Sequence, residues 1–322
     1  MIKVRQVLLC SAVPFFFLAA SCVRENSSRK QDIHVQQMSG FPNQEFGYEL
    51  GVSACYAGII GNKLVMAGGC NFAGKSAAEG GPKYFYKGIY TAEITEDSVL
   101  VWKQVGELPS PVAYGVSISR SGEMILIGGN NADGGLTSVF RLKLAEDGGA
   151  ILDTLPSLPF ALDNMSGAAS GNTIYVAGGN RNGSPSTSML SLNLNEPELG
   201  WKEEVPFPGA ARVQPVCAVQ DGMLYLWGGF CPSQNGGEAS VATDGYRYLP
   251  LQERWEPVPA PAVAETGEPL TLTGGTSCVW SDSIILCTGG VDKDIFLDAI
   301  SGDYKRIAKE DYLLQPVAWY RF

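Results

Sequence analysis

One phrase recurs five times along this chain and limits what the chain can fold into. "KLVMAGGCNF" (63–72), "MILIGGNNADG" (124–134), "TIYVAGGNRNG" (173–183), "LYLWGGFCP" (224–232) and "IILCTGGVDKD" (284–294) each give a short apolar run, a Gly-Gly pair and a polar loop. The pairs end at Gly69, Gly129, Gly179, Gly229 and Gly290, spaced by 60, 50, 50 and 61 residues. Shortly before each pair stands a turn signal: "GN" at 61–62, "SG" at 121–122, "GN" at 171–172, "DG" at 221–222 and "SD" at 281–282. Asn, Asp and Gly supply the positive φ of tight hairpin turns. Ahead of each turn lies a second run: "ACYAGII", "AYGVSIS", "SGAAS", "PVCAVQ" and "TSCVW". Each unit therefore opens with a β-hairpin whose second strand ends at the Gly pair, where neighbouring backbones can approach closely.

A third run follows the polar loop, at "GIYTAEI" (88–94), "SVFRLKL" (138–144), "SMLSLNL" (188–194) and "DGYRYLP" (244–250), and alternates as a half-buried strand does. A fourth strand is marked by Trp then Pro in "WKQVGELPSP" (102–111), "WKEEVPFPG" (201–209) and "WEPVPAPA" (255–262), with "LDTLPSLPF" (152–160) in the same place. Four antiparallel strands in about 50 residues is the kelch pattern, whose units pack radially as propeller blades. The expected fold is all-β, a kelch-type propeller over 41–322 with inner strands near 52–60, 113–119, 165–170, 214–219 and 276–280. The fifth unit lacks a Trp–Pro strand, so about four and a half blades are expected, the last without its outer strands.

The amino terminus reads as a targeting segment. Lys3 and Arg5 precede the apolar run "VLLCSAVPFFFLAA" (7–20), the right length for a signal-peptide core and short for a membrane span. "LAASC" is similar to a bacterial lipoprotein signal, which implies that 1–21 is removed and that Cys22 carries lipid. Residues 22–40 then form a polar tether, and the protein is expected on the periplasmic side of a Gram-negative envelope, held to the membrane by its lipid alone. Cleavage near Ser21 as a plain secretory signal is the competing reading. Of the remaining cysteines (Cys55, Cys70, Cys217, Cys231, Cys278 and Cys287), none has metal-knuckle spacing. They read as buried strand thiols, with Cys278 opposite Ile285 across the last hairpin.

Net charge is −10 with a pI near 4.7, and there is no basic stripe, which argues against nucleic acid as a partner. The single histidine, His34, falls in the tether, so His-based triads and His-ligated copper are excluded from the propeller. No phosphate-loop or dinucleotide fingerprint is present. The chemistry left is polar and needs neither metal nor cofactor.

"YAGIIGNKLVMAGGCNF", "EGGPKYFYKGIY", "PVAYGVS", "LPFALDNMSGA", "RVQPVCAVQDGMLYLWGGF" and "TGGVDKDIFLDAI" together resemble the cyclically permuted mutarotase family, from about residue 46 to 322. That family is kin to bacterial N-acetylneuraminate epimerase, a six-bladed kelch propeller. The resemblance implies anomer interconversion of a sialic acid: a base takes the proton of the anomeric hydroxyl, an acid protonates the ring oxygen, and the ring opens. The sugar's carboxylate favours a bidentate arginine. The family's proposed catalytic Glu and Arg sit in a Gly-Glu-x-x-Pro-Gly-x-Arg phrase that is absent here; "NGGEAS" (235–240) has only the Gly-Glu. The chain is therefore expected to end most of one and a half blades short of the family pattern, and to be marginally stable and of little activity alone. A non-catalytic propeller that binds glycans or protein partners is the rival reading.

In propellers, ligands commonly sit at the axial mouth, on loops that follow or enter the inner strands. Asn71, Asn130, Asn131 and Asn180 follow Gly pairs; Tyr114, Asn164, Arg212 and Gln214 lead into inner strands. Substrate contact is expected of Asn71, Tyr114, Asn130, Asn164, Arg212 and Gln214, against turn formation for the asparagines and a rim ion pair for Arg212. The related unpermuted enzyme also has an Arg at the place of Arg212. Glu79 in "AEGGPK", matched by a Glu-Gly in that enzyme, is a catalytic candidate against a plain solvated loop glutamate.

Overall fold

The computed structural model describes residues 39–75, 79–95, 99–233, 237–263, 266–282, 284–291, 293–300 and 317–321. The expected leader, Cys22, His34 and nearly all of the tether lie outside the described residues.

Four blades are four-stranded antiparallel meanders. The first runs through Tyr56–Ile60, Lys63–Ala67, Gly88–Glu93 and Lys103–Glu107. The second uses Val116–Arg120, Glu123–Ile127, Val139–Leu144 and Ala150–Thr154. The third uses Ser166–Ser170, Thr173–Ala177, Met189–Asn193 and Lys202–Glu203. The fourth uses Val216–Gln220, Met223–Trp227, Gly245–Leu249 and Arg254–Pro257. The first strands of successive blades stand side by side and line a central channel, so this is the all-β propeller that the repeat predicts.

The fifth blade corrects two expectations. Its hairpin, Thr276–Ser281 with Ile284–Thr288, gains a third strand from Val317–Arg321, so an outer strand is present after all. "IFLDAI" belongs to a helix, Lys293–Ile300, whose Phe296 packs edge-on to Phe230 at 5.1 Å. The hairpin register is also shifted by one: Cys278 faces Leu286, because the hairpin closes with Ser281 opposite Ile284, later than a turn at 281–282 implies, and a bulge between Val279 and Ser281 takes back only part of that offset. Against expectation Cys278 is exposed and Cys55 only half-buried, whereas Cys70, Cys217, Cys231 and Cys287 are buried.

A blade sandwiched between two others must be apolar on both faces, and the second strands show it. In Glu123–Ile127, Met124 and Leu126 pack toward the first blade while Ile125 and Ile127 pack toward the third; all four are buried. In Met223–Trp227, Leu224 and Leu226 face the third blade while Tyr225 and Trp227 face the fifth. This is why the phrases "MILI" and "LYLW" lack polar alternation although strand side chains alternate faces. The core is thus a series of layers between blades. The Trp of the fourth strands clamps the outer edges: Trp201 Nε1 donates to Pro156 O at 2.8 Å, and Trp255 Nε1 to Val205 O at 2.8 Å.

The Gly pair ties each blade to the next. At the second blade, Gly128 N donates to Ser138 O within the blade, and Gly129 N donates to Leu162 O on the way to the third, both at 2.9 Å. Both glycines have positive φ, 58° and 98°, and a Cβ on Gly129 would lie 2.6 Å from Ala113 O. Gly129→Ala is therefore expected to lower stability by about 2–5 kcal/mol in urea unfolding. Gly122→Asn, at a turn with φ 76° and open space around it, is expected to cost under about 1 kcal/mol. Equal losses in the two variants contradict the assignment of the pair as the blade-to-blade contact.

Candidate functional site at the axial mouth

Just ahead of each first strand the backbone takes one left-handed step, at Ala54, Tyr114, Asn164, Gln214 and Gly274, with φ of 56°, 61°, 53°, 52° and 72°. These positions are equivalent, 60, 50, 50 and 60 residues apart. Each donates its N–H to the carbonyl of the one before: Tyr114 to Ala54 at 2.9 Å, Asn164 to Tyr114 at 2.7 Å, Gln214 to Asn164 at 2.6 Å, and Gly274 to Gln214 at 3.0 Å. The result is a chain of peptide hydrogen bonds running around the axis from blade to blade. A left-handed residue other than glycine costs about 1–3 kcal/mol and persists only where its surroundings hold it. Three of these five places carry Tyr, Asn and Gln, so strained backbone coincides with polar side chains at the mouth.

Those side chains line a cavity of about 720 Å³ together with Ser53, Cys55 and Ser117. This lies within the ~300–1,000 Å³ typical of small-molecule sites. A second space of about 580 Å³ continues it along the channel, sharing walls at Ala57, Ser117, Gly167, Cys217 and Thr276. Gln214 Nε2 donates to Asn164 Oδ1 at 2.8 Å, and Asn164 Nδ2 donates to Asp163 Oδ1 at 2.6 Å. The same Asp163 oxygen accepts from Asn180 Nδ2 at 2.8 Å. Lys83 Nζ donates to the Tyr114 hydroxyl at 2.8 Å and sits over the Tyr114 and Phe72 rings, 4.9 and 5.7 Å from their centroids. Burial raises the Tyr114 hydroxyl above the ordinary phenol range; the hydrogen bond from Lys83 pulls the other way, and Cys70 adds to the rise. Tyr114 is therefore a neutral phenol at physiological pH. Burial pushes the Cys55 thiol up to about 11, so it is no thiolate nucleophile. Among the described residues lining the two spaces none is an aspartate or glutamate. Among the described residues no cluster of three or more His, Cys, Asp or Glu could hold a metal ion.

The sequence profile of the N-acetylneuraminate epimerase family matches this chain over residues 18–151 and 155–318. The chain belongs to that family. A Haemophilus influenzae N-acetylneuraminate epimerase is 35% identical over 143 residues, 44% of this chain and 35% of its own length. A Salmonella enteritidis N-acetylneuraminate epimerase is 30% identical over 175 residues, 52% of this chain and 43% of its own length. The chain thus spans less than half of the length of these curated relatives.

Within this member of the epimerase family, Tyr114, Asn164 and Gln214 come together at the mouth, and other predicted contacts do not. Arg212 requires correction. Its guanidinium is fully buried, and its donors are turned inward. Nε donates to Ala210 O at 2.9 Å, Nη1 to Gly228 O at 3.1 Å and to Asp244 Oδ1, and Nη2 to Asp244 Oδ2 at 3.0 Å. The group lies over Phe207, 5.3 Å from its centroid. An arginine so enclosed grips no ligand carboxylate; it secures the loop that carries Gln214. Asn71 is spent in a similar way, its amide donating to Gly47 O and Gly51 O at 2.8 Å and its oxygen accepting from Tyr86 at 2.8 Å. Asn131 forms a turn, accepting from Asp133 N at 2.9 Å. Asn130 pairs its backbone with Ala113, and its half-buried side chain is not among the cavity walls. Glu79 is an exposed loop residue away from those walls.

Sequence reasoning passed over Asp163 and Lys83. Asp163 had a signal: it stands where the other units have Ser53, Ala113, Val213 and Thr273, the one charged group of the five. Lys83 reaches the mouth across an irregular loop, and no repeat marks it.

Removing part of a buried ion pair typically costs ~3–5 kcal/mol, and unmade buried hydrogen bonds add to that. Arg212→Lys keeps the charge and loses the fork, so we expect a loss of about 2–4 kcal/mol in urea unfolding. Burial alone would raise the Asp244 carboxyl, but the hydrogen bonds and charge of Arg212 outweigh it and hold the group below its ordinary 3.8. A depressed carboxyl contributes stability that is complete above that ordinary value and is lost as pH falls through the folded value. Asp244→Asn should therefore be less stable than the parent at neutral pH, with the gap narrowing below about pH 4. A gap that stays constant from neutral pH down to about pH 2 contradicts the ion-pair assignment.

Proposed function

We propose that this chain interconverts the α- and β-anomers of N-acetylneuraminate, a sialic acid, at the axial mouth, without a cofactor. Membership of the epimerase family supports the substrate class. The observation that carries the placement is the chain of peptide hydrogen bonds that sets Tyr114, Asn164 and Gln214 around one cavity. Ring opening moves one proton off the anomeric hydroxyl and another onto the ring oxygen. Both atoms hang from one carbon, so the groups that serve them must converge. A neutral Tyr114 phenol can donate its proton to the ring oxygen while its own oxygen takes the proton of the anomeric hydroxyl, so the phenol is restored as the ring opens, and Asn164 and Gln214 orient hydroxyls. In this reading the product is the equilibrium sugar, ready for uptake after release from glycans in the other anomeric form.

One observation favours a second reading: the described cavity walls lack a carboxylate that could act as base. A non-catalytic glycan-binding propeller fits that wall equally well. Two-dimensional NMR exchange between the anomers of N-acetylneuraminate separates the readings. The epimerase reading expects exchange that rises in proportion to protein, and a fall of roughly a hundredfold in Tyr114→Phe. Binding without acceleration establishes the non-catalytic reading instead.

We also propose that the protein is exported and tethered through lipid on Cys22, facing the periplasm. Expressed in a Gram-negative host, it should enter the detergent phase on Triton X-114 separation, and Cys22→Ser should move it to the aqueous phase. Recovery of the parent in the aqueous phase refutes the tether.

A further inference from the structure

We infer that Lys83, an exposed residue at the rim bonded to the cavity wall Tyr114, is the anchor for the carboxylate of an anionic sugar at the mouth. The inference rests on the reading of the mouth as a sialic acid site and names a specificity residue within it. Three observations carry it.

The first is charge pairing. Every arginine whose side chain is described lies within 4 Å of a carboxylate: Arg120, Arg141, Arg181, Arg212, Arg247 and Arg254. Lys63, Lys87, Lys143 and Lys202 are paired in the same way. In a chain with net charge −10, carboxylates are in excess and a cation readily finds one. Among the described residues Lys75, Lys83, Lys103 and Lys293 have no such partner, and of these four Lys83 is the one bonded to a wall of the mouth cavity, Tyr114.

The second is fixation. An exposed lysine ordinarily samples many rotamers in water. Lys83 instead donates to the Tyr114 hydroxyl at 2.8 Å and lies over two aromatic rings, an arrangement that favours a cation. An ammonium carries three donors, and only one is spent on Tyr114.

The third is place. Tyr114 is a wall of the mouth cavity and one of the left-handed members of the peptide hydrogen-bond chain. A carboxylate meeting Lys83 would sit beside the phenol that the proposed reaction uses. The sugar would then be oriented by its one charged group, leaving its hydroxyls to Asn164 and Gln214. Since the described walls lack Asp and Glu, nothing among them competes for the ammonium.

The test is calorimetric titration of the full chain with N-acetylneuraminate and with its uncharged carboxamide, for the parent, Lys83→Met and Lys83→Arg. The parent is expected to prefer the carboxylate. Lys83→Met should bind N-acetylneuraminate about ten- to a hundredfold more weakly, the range for a lost charge-assisted hydrogen bond. Its affinity for the carboxamide should stay at the parent value, which excludes misfolding as the cause. Lys83→Arg should restore much of the loss. Undiminished binding of N-acetylneuraminate by Lys83→Met overturns the inference and leaves the proposed substrate standing. Equal weakening toward both compounds also overturns it, since it shows a role in shape rather than charge. A parent that binds neither compound overturns the proposed substrate and the inference together.

Discussion

The peptide hydrogen bond passed from one left-handed residue to the next is the contact on which the mouth depends. It joins places 50 or 60 residues apart in sequence, so it forms only when whole blades have docked. It also fixes direction. With φ near 50–60°, Tyr114, Asn164 and Gln214 are aimed by backbone geometry, and a side chain so placed needs little further ordering on binding. Glycine would hold the same φ at less cost, as Gly274 does. Strain at Tyr, Asn and Gln is the pattern expected of a functional surface, where geometry outweighs local stability.

Below that chain of bonds, the channel wall is rich in Ala, Gly, Ser and Cys beside a few Ile, Val, Thr and Leu, and the small residues suit the crowding near the axis. First strands of neighbouring blades stand close, yet they do not pair as a continuous sheet, so their inward edges carry unmade backbone groups. Serine hydroxyls meet that need. Ser117 Oγ accepts from Ala57 N at 3.0 Å and donates to Ala57 O at 2.8 Å. Ser119 Oγ accepts from Ile59 N at 2.8 Å, and Ser277 Oγ donates to Cys217 O at 2.6 Å. A hydroxyl is small enough to stand between two strands and can both donate and accept, which no apolar residue of its size can do. The serines of "SIS" and "TSC" are therefore structural, although they line a cavity.

The blades were legible because their cause is local and repeated. Turn residues, apolar runs and Gly pairs recur at a fixed distance, and each repeat reports the same packing between neighbours. The mouth was legible in part for the same reason: Tyr114, Asn164 and Gln214 occupy repeated positions, so a rule about one applied to all. What could not be read is what breaks the repeat. Arg212 stands two residues before a mouth position, but its partner Asp244 is 32 residues away, just ahead of the Gly245–Leu249 strand. Nothing in "AARVQ" says that the side chain turns inward. The one-residue register shift at Cys278 is the net of a hairpin that closes at Ser281 and Ile284 and a bulge near Trp280 that partly offsets it, and neither leaves a composition signal here. The helix at Lys293–Ile300 and the strand at Val317–Arg321 follow a unit that departs from the repeat, so pattern matching stopped where they begin.

The two cations near the mouth illustrate how side-chain chemistry divides tasks that a motif search would merge. Arginine offers a rigid planar fork and tolerates loss of water better than an ammonium does. Arg212 uses that fork on Asp244, with two carbonyls and an aromatic face completing the enclosure, and thereby pins the loop two residues before Gln214. Were it to release Asp244 for an incoming carboxylate, it would strand a half-exposed aspartate beside the ligand, and like charges would meet. Lysine is a compact, strongly hydrated charge on a flexible stem, poorly suited to such burial and well suited to a solvated rim. Lys83 keeps water on one side and aromatic faces on the other, so its charge stays available while its position is limited. Charge alone points to either residue as an anion contact. Burial and donor accounting separate them, assigning the arginine to the scaffold and leaving the lysine exposed beside Tyr114.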